Sequence, residues 1–322
     1  MKRFGAVTAL LAAVLAFPVP DASAQKFPTR TVRIINPNPP GGAIDIQARL
    51  YAQKLQEMWG QPVVVEYKTG GGTLIGMDYT VKSAPDGYTI GMAVTPLVIF
   101  PALRTDMPYD TSKDLAGVTL TAVSSIIITA APTLEANTLA EVIALAKQKP
   151  GKLTYASPGA GGANHLAFEL LKQSTGIDIV HIPFKGGAQA YPEVMAGRVD
   201  LQVDPVFGAY RYVKAGKMKG IAVTSAKRDP SAPEIPTVAE TVPGCEVLSI
   251  NGIIVPRATP RDLVNRLNAD FRRVLQMPDI SKRFAEMGLE IIGNSPEEFD
   301  AFIRSEIAKW TKVARTAGIH LE

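Results

Sequence analysis

The stretch TVRIINPNPPGGAIDIQARLYAQKLQEMWGQPVVVE, residues 31–66, decides the fold. Residues 31–36 form a short β-branched run and read as a strand. The turn Pro39-Pro40-Gly41-Gly42 follows. Residues 43–59 then place Ile46, Leu50, Leu55 and Met58 at a roughly helical period. Residues 63–66 are a second strand. A helix over about 73–83, the turn Pro85-Asp86-Gly87 and a third strand over 88–94 extend the series. Strand, helix, strand, helix, strand predicts a parallel sheet with right-handed crossovers.

The same pattern recurs further along. Residues 153–157, 177–182 and 199–204 read as strands, separated by helices near 164–173 and 188–196, so two α/β lobes are expected. Thr138-Leu139-Ala140-Glu141 has the spacing of a capping box. Residues 118–131 are a long β-rich run without a helical counterpart. With residues 220–224 and 246–255 they are candidates for strands crossing between the lobes. Two helices close the chain. The first is read with Thr259 as N-cap, Pro260 at the first helical position and Leu263, Leu267 and Phe271 at spacing four. The second follows Ser295-Pro296-Glu297-Glu298 and carries Phe299, Ile303, Ile307 and Trp310. Such stripes are expected to pack on a core rather than bind a partner.

Composition narrows the classes. The 322 residues hold 34 Lys plus Arg against 30 Asp plus Glu, 46% hydrophobic residues and one cysteine. That excludes wholesale disorder, a disulfide scaffold and a multi-cysteine zinc site. The basic residues are scattered, so no nucleic-acid surface is expected. Lys2 and Arg3, the apolar stretch over 6–17 and Ala22-Ser23-Ala24 have the three regions of a secretory signal peptide. Cleavage would leave a mature chain from Gln25; an uncleaved anchor would need about 20 apolar residues. Cys245 is expected to be a buried thiol rather than a nucleophile.

Glycines gather after strands and before helices: Gly41-Gly42, Gly70-Gly71-Gly72, Ser157-Pro158-Gly159-Ala160-Gly161-Gly162 and Gly186-Gly187. Such turns bring backbone amides and helix N-termini to an anion, or serve only as tight connections. Taken together they favour a ligand cleft between the lobes. Gly70, Gly72 and Gly76 break the dinucleotide spacing, and no Gly-Lys-Ser/Thr phosphate loop occurs. The histidines His165, His181 and His320 show no zinc-protease spacing, and no nucleophile elbow is present. His165 opens a helix, where it faces a ligand or bonds the preceding turn. Asp45 either complements a helix dipole or orients a ligand, and Asp204, ending a strand, is open in the same way. Neither a metal nor a cofactor is expected.

Several strings in order resemble one family. They are residues 39–45 with Ala48-Arg49, residues 60–66, residues 84–89, Asn164-His165-Leu166-Ala167 with Glu169-Leu170, residues 181–187, and residues 222–228 through 236–240. Over essentially the whole mature chain the sequence resembles the Bug family, the periplasmic solute receptors of tripartite tricarboxylate transporters. The resemblance implies a two-lobed, type II-like periplasmic binding protein with a discontinuous first domain (25–122 and 228–322) and a second over 123–227. It implies that Pro40, Gly41, Gly42 and Asp45 hold a carboxylate. Ser157, Gly159, Gly161 and Gly162, with Phe184, Lys185 and Gly186, would close over the other end, Thr95 and Asp204 are carried over with them, and His165 stands with these as a ligand-binding candidate. Where the family usually has Glu-Asn-Arg-Pro-Gly, this chain has Glu66-Tyr67-Lys68-Thr69-Gly70, and the common aromatic near residues 249–252 is missing.

The expected protein is a monomeric, non-enzymatic periplasmic receptor that delivers a small organic carboxylate to transporter subunits of the tripartite tricarboxylate type. A receptor for a membrane sensor kinase would read alike, and an α/β enzyme is the remaining class.

Overall fold

The computed structural model describes residues 27–159, 162–184 and 186–317. The signal-peptide and Gln25 expectations, and those for Gly161, Lys185 and His320, fall outside these residues. The elements run β1 (Val32–Asn36), α1 (Ala43–Trp59), β2 (Val63–Tyr67), a 3-10 turn (Gly71–Thr73) leading into α2 (Leu74–Val81), β3 (Thr89–Val94), α3 (Pro96–Leu103), α4 (Thr111–Asp114), β4 (Leu115–Ala130) and α5 (Leu139–Gln148). Then follow β5 (Thr154–Ser157), α6 (Ala163–Thr175), β6 (Val180–Pro183), α7 (Gly187–Met195), β7 (Leu201–Pro205), α8 (Val206–Lys214), β8 (Lys219–Val223) and α9 (Val238–Thr241). The chain ends with β9 (Leu248–Pro256), α10 (Arg261–Leu275), α11 (Pro278–Glu286), β10 (Glu290–Ile291) and α12 (Pro296–Ala317).

The strands make one mixed sheet in the order β2-β1-β3-β9-β4-β7-β5-β6, with β8 and β10 also on β4. In the first half β1 is parallel to β2 and β3, as the opening stretch predicts. In the second half β5 is parallel to β6 and β7. Both parallel strands and their crossover helices follow from alternating apolar runs that must be covered on two faces. β4 belongs to both halves. Residues 115–125 pair with β9, and residues 126–130 with β7 and β8. All sixteen of its residues are buried, and its register with β9 shifts between Gly117 and Thr119 and between Leu120 and Ala122. Such bulges bend a strand, which suits one that passes between lobes.

One core cluster lies under α1, α10 and α11, with Tyr51, Phe271 and Phe284 packed edge to face. The other takes in α3, α12 and the second half of the sheet. Phe299, Ile303 and Trp310 of α12 are buried in it, so the aromatic stripe is core.

Three local expectations are corrected. α10 starts at Arg261 with Pro260 as N-cap, because the Pro260 carbonyl accepts the first helical bonds from Leu263 and Val264; the Thr259 hydroxyl caps nothing. At α5 the Thr138 hydroxyl accepts from Glu141 N–H, but the Glu141 carboxylate accepts from Asn137, one residue earlier than a capping box requires. Residues 220–224 do not cross, since β8 runs along the second-half end of β4, Ile127 to Ala130, and makes no ladder with the first half. The second helix close is read correctly: Ser295 and Glu298 bond reciprocally ahead of α12.

Candidate ligand-binding cleft

Loops leaving the C-terminal ends of β1, β2, β3 and β5 meet the start of β9 around a cavity of about 400 Å³. Open α/β sheets bind ligands at this end of their strands, and the size suits a small molecule. The first half of the sheet contributes Pro37, Asn38, Pro39 and Ile44, residues of the 69–73 loop, Val94, Thr95, Pro96 and Phe100, and Ser249, Ile250 and Asn251. The second half contributes Pro158, Gly159, Gly162, Ala163 and Asn164. The cavity therefore lies between the two halves.

Four helices begin at its rim: α1 after Gly42, α2 after Thr73, α3 after Thr95 and α6 after Gly162. Each N-terminus carries unsatisfied N–H groups and the positive end of a dipole. Among the described lining residues there is no Lys, Arg or His. An anion here would be held by backbone ends, hydroxyls and amides rather than by a formal cation.

Of the residues singled out from the sequence, Thr95, Gly159 and Gly162 line the cavity. Thr95 Oγ1 accepts from Ile250 N–H at 3.0 Å, tying β9 to the β3–α3 turn. Pro40, Gly41 and Gly42 lie exposed in the turn before α1, next to the lining residues Pro39 and Ile44.

Asp45, 4% exposed, sits behind this turn. Its carboxylate accepts from Gly41 N–H at 2.9 Å, Tyr67 Oη at 2.6 Å and Arg49 Nε at 3.1 Å. Burial alone would favour the neutral acid, but the bonds from Tyr67, Gly41 and Arg49 outweigh it and hold the carboxyl below the usual range. Asp45 thus braces the turn. The Tyr67 that departs from the family's usual residue supplies its shortest bond.

Ser157 is fully buried and shapes the β5–α6 loop from behind. Its hydroxyl donates to the Gly159 carbonyl at 3.0 Å and lies 2.7 Å from His181 Nε2. With the hydroxyl proton on Gly159, the imidazole is left to donate to Ser157, the reverse of a base activating a nucleophile. His165 stacks on His181 at 4.1 Å and lies 4.0 Å from Glu169, away from the cavity wall. Burial, with His165 beside it, pushes the His181 pKa down to about 4. Phe184 donates its N–H to Ser157 O and packs on the core, and Gly186 is the N-cap of α7.

Asp204 ends β7 at 5% exposure, accepting from Tyr191 Oη and, at 3.4 Å, from the lining residue Asn164. A Cβ on Gly187 would collide with its carboxylate, so α7 approaches closely only because that position is glycine. Burial pushes the Asp204 pKa up to about 6 despite the Tyr191 bond. Cys245 is buried, which pushes its thiol up to about 11, as expected of a structural cysteine. Among the described residues no cluster of three His, Cys, Asp or Glu could hold a metal ion.

Residues 47–319 match the tripartite tricarboxylate transporter family receptor. The chain belongs to that receptor family. BugT of Bordetella pertussis is 31% identical over 100% of this chain and 99% of its own. A structure from R. palustris solved with adipate superposes with a TM-score of 0.81 at 34% identity, covering 91% of this chain and 99% of that one. A second, from Rhodopseudomonas palustris with bound malate, has a TM-score of 0.78 at 28% identity and covers 89% and 99%. The two-lobed α/β binding-protein fold and the receptor rather than enzyme class follow from this membership, and the Bug resemblance is the correct one. No helix among the described residues is long and apolar enough to cross a membrane.

Several lining residues of this receptor were not singled out from the sequence. The Gly70–Gly72 turn was visible as a candidate, but Asn38, Thr73 and Phe100 carry no local signal. Phe100 lies in PLVIFPAL, an all-apolar helix in which no position stands out as ligand-facing.

Proposed function

We propose that this receptor captures a small organic carboxylate in the cavity between its two lobes and delivers it to membrane subunits of a tripartite tricarboxylate transporter. The observation that carries the reading is the convergence of four helix N-termini on a cavity whose described lining holds no cation. Carboxylates seen in related structures, adipate and malate, fit a site of this size. The reading takes residues 1–24 as a signal peptide sending a monomeric chain to the periplasm, and residues 25–122 with 228–322 and residues 123–227 as its two domains. The switch of β4 partners near Ser125 and Ile126 supports that division. Closure of the lobes would bring Gly41, Gly42 and the 157–162 loop toward the ligand from opposite sides.

A thermal-shift screen against mono-, di- and tricarboxylates with matched amides tests it. A ligand at about 100 times its Kd stabilises the native state by about 2.7 kcal/mol. A shift with an acid that vanishes with its amide is expected; equal shifts with acid and amide would refute anion capture.

A further inference from the structure

We infer that Thr73 is the specificity-determining residue of the cavity, its hydroxyl reading a second polar group on the ligand beyond the first carboxylate. This rests on the carboxylate-receptor reading and deepens it.

The first observation is backbone geometry. Four consecutive residues, Gly70, Gly71, Gly72 and Thr73, have φ of 123°, 56°, 63° and 92°. Glycine adopts such angles freely, whereas a β-branched residue is a genuine outlier there. Thr73 is the only non-glycine with positive φ among the described residues. The turn is fixed by what surrounds it. A Cβ on Gly72 would meet the Phe100 ring at 2.9 Å, and one on Gly76 would meet Pro37 and the Lys68 carbonyl at 2.8 Å. A fourth glycine would complete this turn without strain. The threonine side chain is therefore present against the preference of its own backbone, and outliers of this kind cluster at ligand sites.

The second observation is an unmet hydrogen bond. Thr73 Oγ1 is buried without a partner, and so is Asn38 Oδ1, and both residues line the cavity. Two other polar lining groups are already engaged: Thr95 Oγ1 accepts from Ile250 N–H, and Asn164 Nδ2 donates toward Asp204. Buried polar groups in native proteins are almost always satisfied. A rotation about one side-chain bond moves the hydroxyl between staggered positions, so a partner arriving with the ligand can complete it. A hydroxyl and an amide, each able to donate and accept, suit a ligand hydroxyl, keto group or second carboxyl.

The test is calorimetric affinity for matched pairs that differ by one polar group: hexanoate and adipate, butyrate and succinate, succinate and malate. Thr73→Val keeps the branched shape and removes the hydroxyl, Thr73→Ser keeps the hydroxyl, and Thr73→Gly removes the side chain and its backbone strain. The wild type should favour the more polar member of a pair. Thr73→Val should lose about five- to tenfold of that preference while binding the less polar member as before, and Thr73→Ser should keep it. Thr73→Gly should melt higher than wild type and lose the preference too, which keeps the inference open to refutation if Thr73→Val fails to fold. A folded Thr73→Val or Thr73→Gly with the wild-type ratio overturns the inference and leaves carboxylate capture standing. A wild type that favours neither member of any pair also overturns the inference, while the carboxylate reading stands or falls separately on the acid-against-amide screen.

Discussion

Replacing Asp204 by Asn should stabilise the protein at neutral pH and change it little at acid pH. Asp204 is almost fully buried at the end of β7, with α7 and α8 close enough that neither Gly187 nor Gly208 could carry a side chain without meeting it or its Tyr191 partner. Burial raises its pKa from 3.8 to about 6. A carboxyl with a raised folded pKa contributes stability below the unfolded pKa, and that contribution is lost as pH rises through the folded one. The ionisation penalty is about 1 kcal/mol at about pH 4.5 and grows to about 3 kcal/mol at about pH 7.5. Asparagine is close to isosteric and keeps an acceptor for Tyr191 Oη, but does not ionise. Its extra N–H, if left unpaired, costs about 1 kcal/mol at either pH. Urea unfolding of both proteins at the two pH values isolates the ionisation, because every pH-independent packing term cancels in the double difference. The stability gain should be larger at about pH 7.5 by about 2 kcal/mol. A variant-to-wild-type difference that is the same at both pH values would refute the argument that Asp204 is ionised at a cost.

Gly42→Leu should leave folding cooperative, since φ is −87° and no heavy atom lies within 4 Å of a Cβ placed there, yet abolish carboxylate binding at the α1 end of the cleft, as calorimetry would read. Asp45→Ala frees the Gly41 N–H and the Tyr67 hydroxyl from their brace and should weaken ligand binding by about 1 to 3 kcal/mol; unchanged affinity would leave Asp45 as a helix-dipole residue. His181 has a folded pKa near 4 against 6.5, so the unfolded chain takes up its proton first and stability falls as pH drops from about 6.5 to about 4. His181→Gln should flatten that slope in melting curves.

The opening stretch was legible because its signals are local and agree. Helix α1 runs over 43–59 as the period of Ile46, Leu50 and Leu55 indicates, and the parallel pairing of β1 with β2 and β3 follows from the crossovers between them. The N-cap of α10 was misplaced because Pro260 fits both the cap and the first helical turn, and only the hydrogen bonds decide between them. At the cleft, glycine turns were visible, but the residues that coat the walls were not. Asn38 and Thr73 reach one wall from segments 35 positions apart in sequence, brought together by the packing of Gly76 on Pro37. Asp45, Ser157, His165 and Asp204 illustrate the opposite limit. Their residue types suggested a ligand, and the structure shows each held mainly by protein groups that position the loops.

That distinction bears on how such a receptor can close. A change of angle between the lobes would fall where β4 changes partners, and a cluster of hydroxyl bonds sits at that point, of which the one from Thr224 to Val247 joins the two parts of the chain. Ile126 N–H donates to Thr224 Oγ1 at 3.2 Å, Thr224 N–H returns to the Ile126 carbonyl at 2.8 Å, and Thr224 Oγ1 donates to the Val247 carbonyl at 2.5 Å. Ser125 and Ser225 meet through their hydroxyls at 2.9 Å one residue away. Hydroxyls that rotate about one bond keep their partners through a small twist better than a continued backbone ladder would. The braces behind the cleft, Asp45 on the first lobe and Ser157 on the second, are each internal to one lobe and do not span this point. The loops can therefore be carried rigidly on the moving lobes, with the twist confined to the crossing and the ligand meeting walls whose shape was set before it arrived.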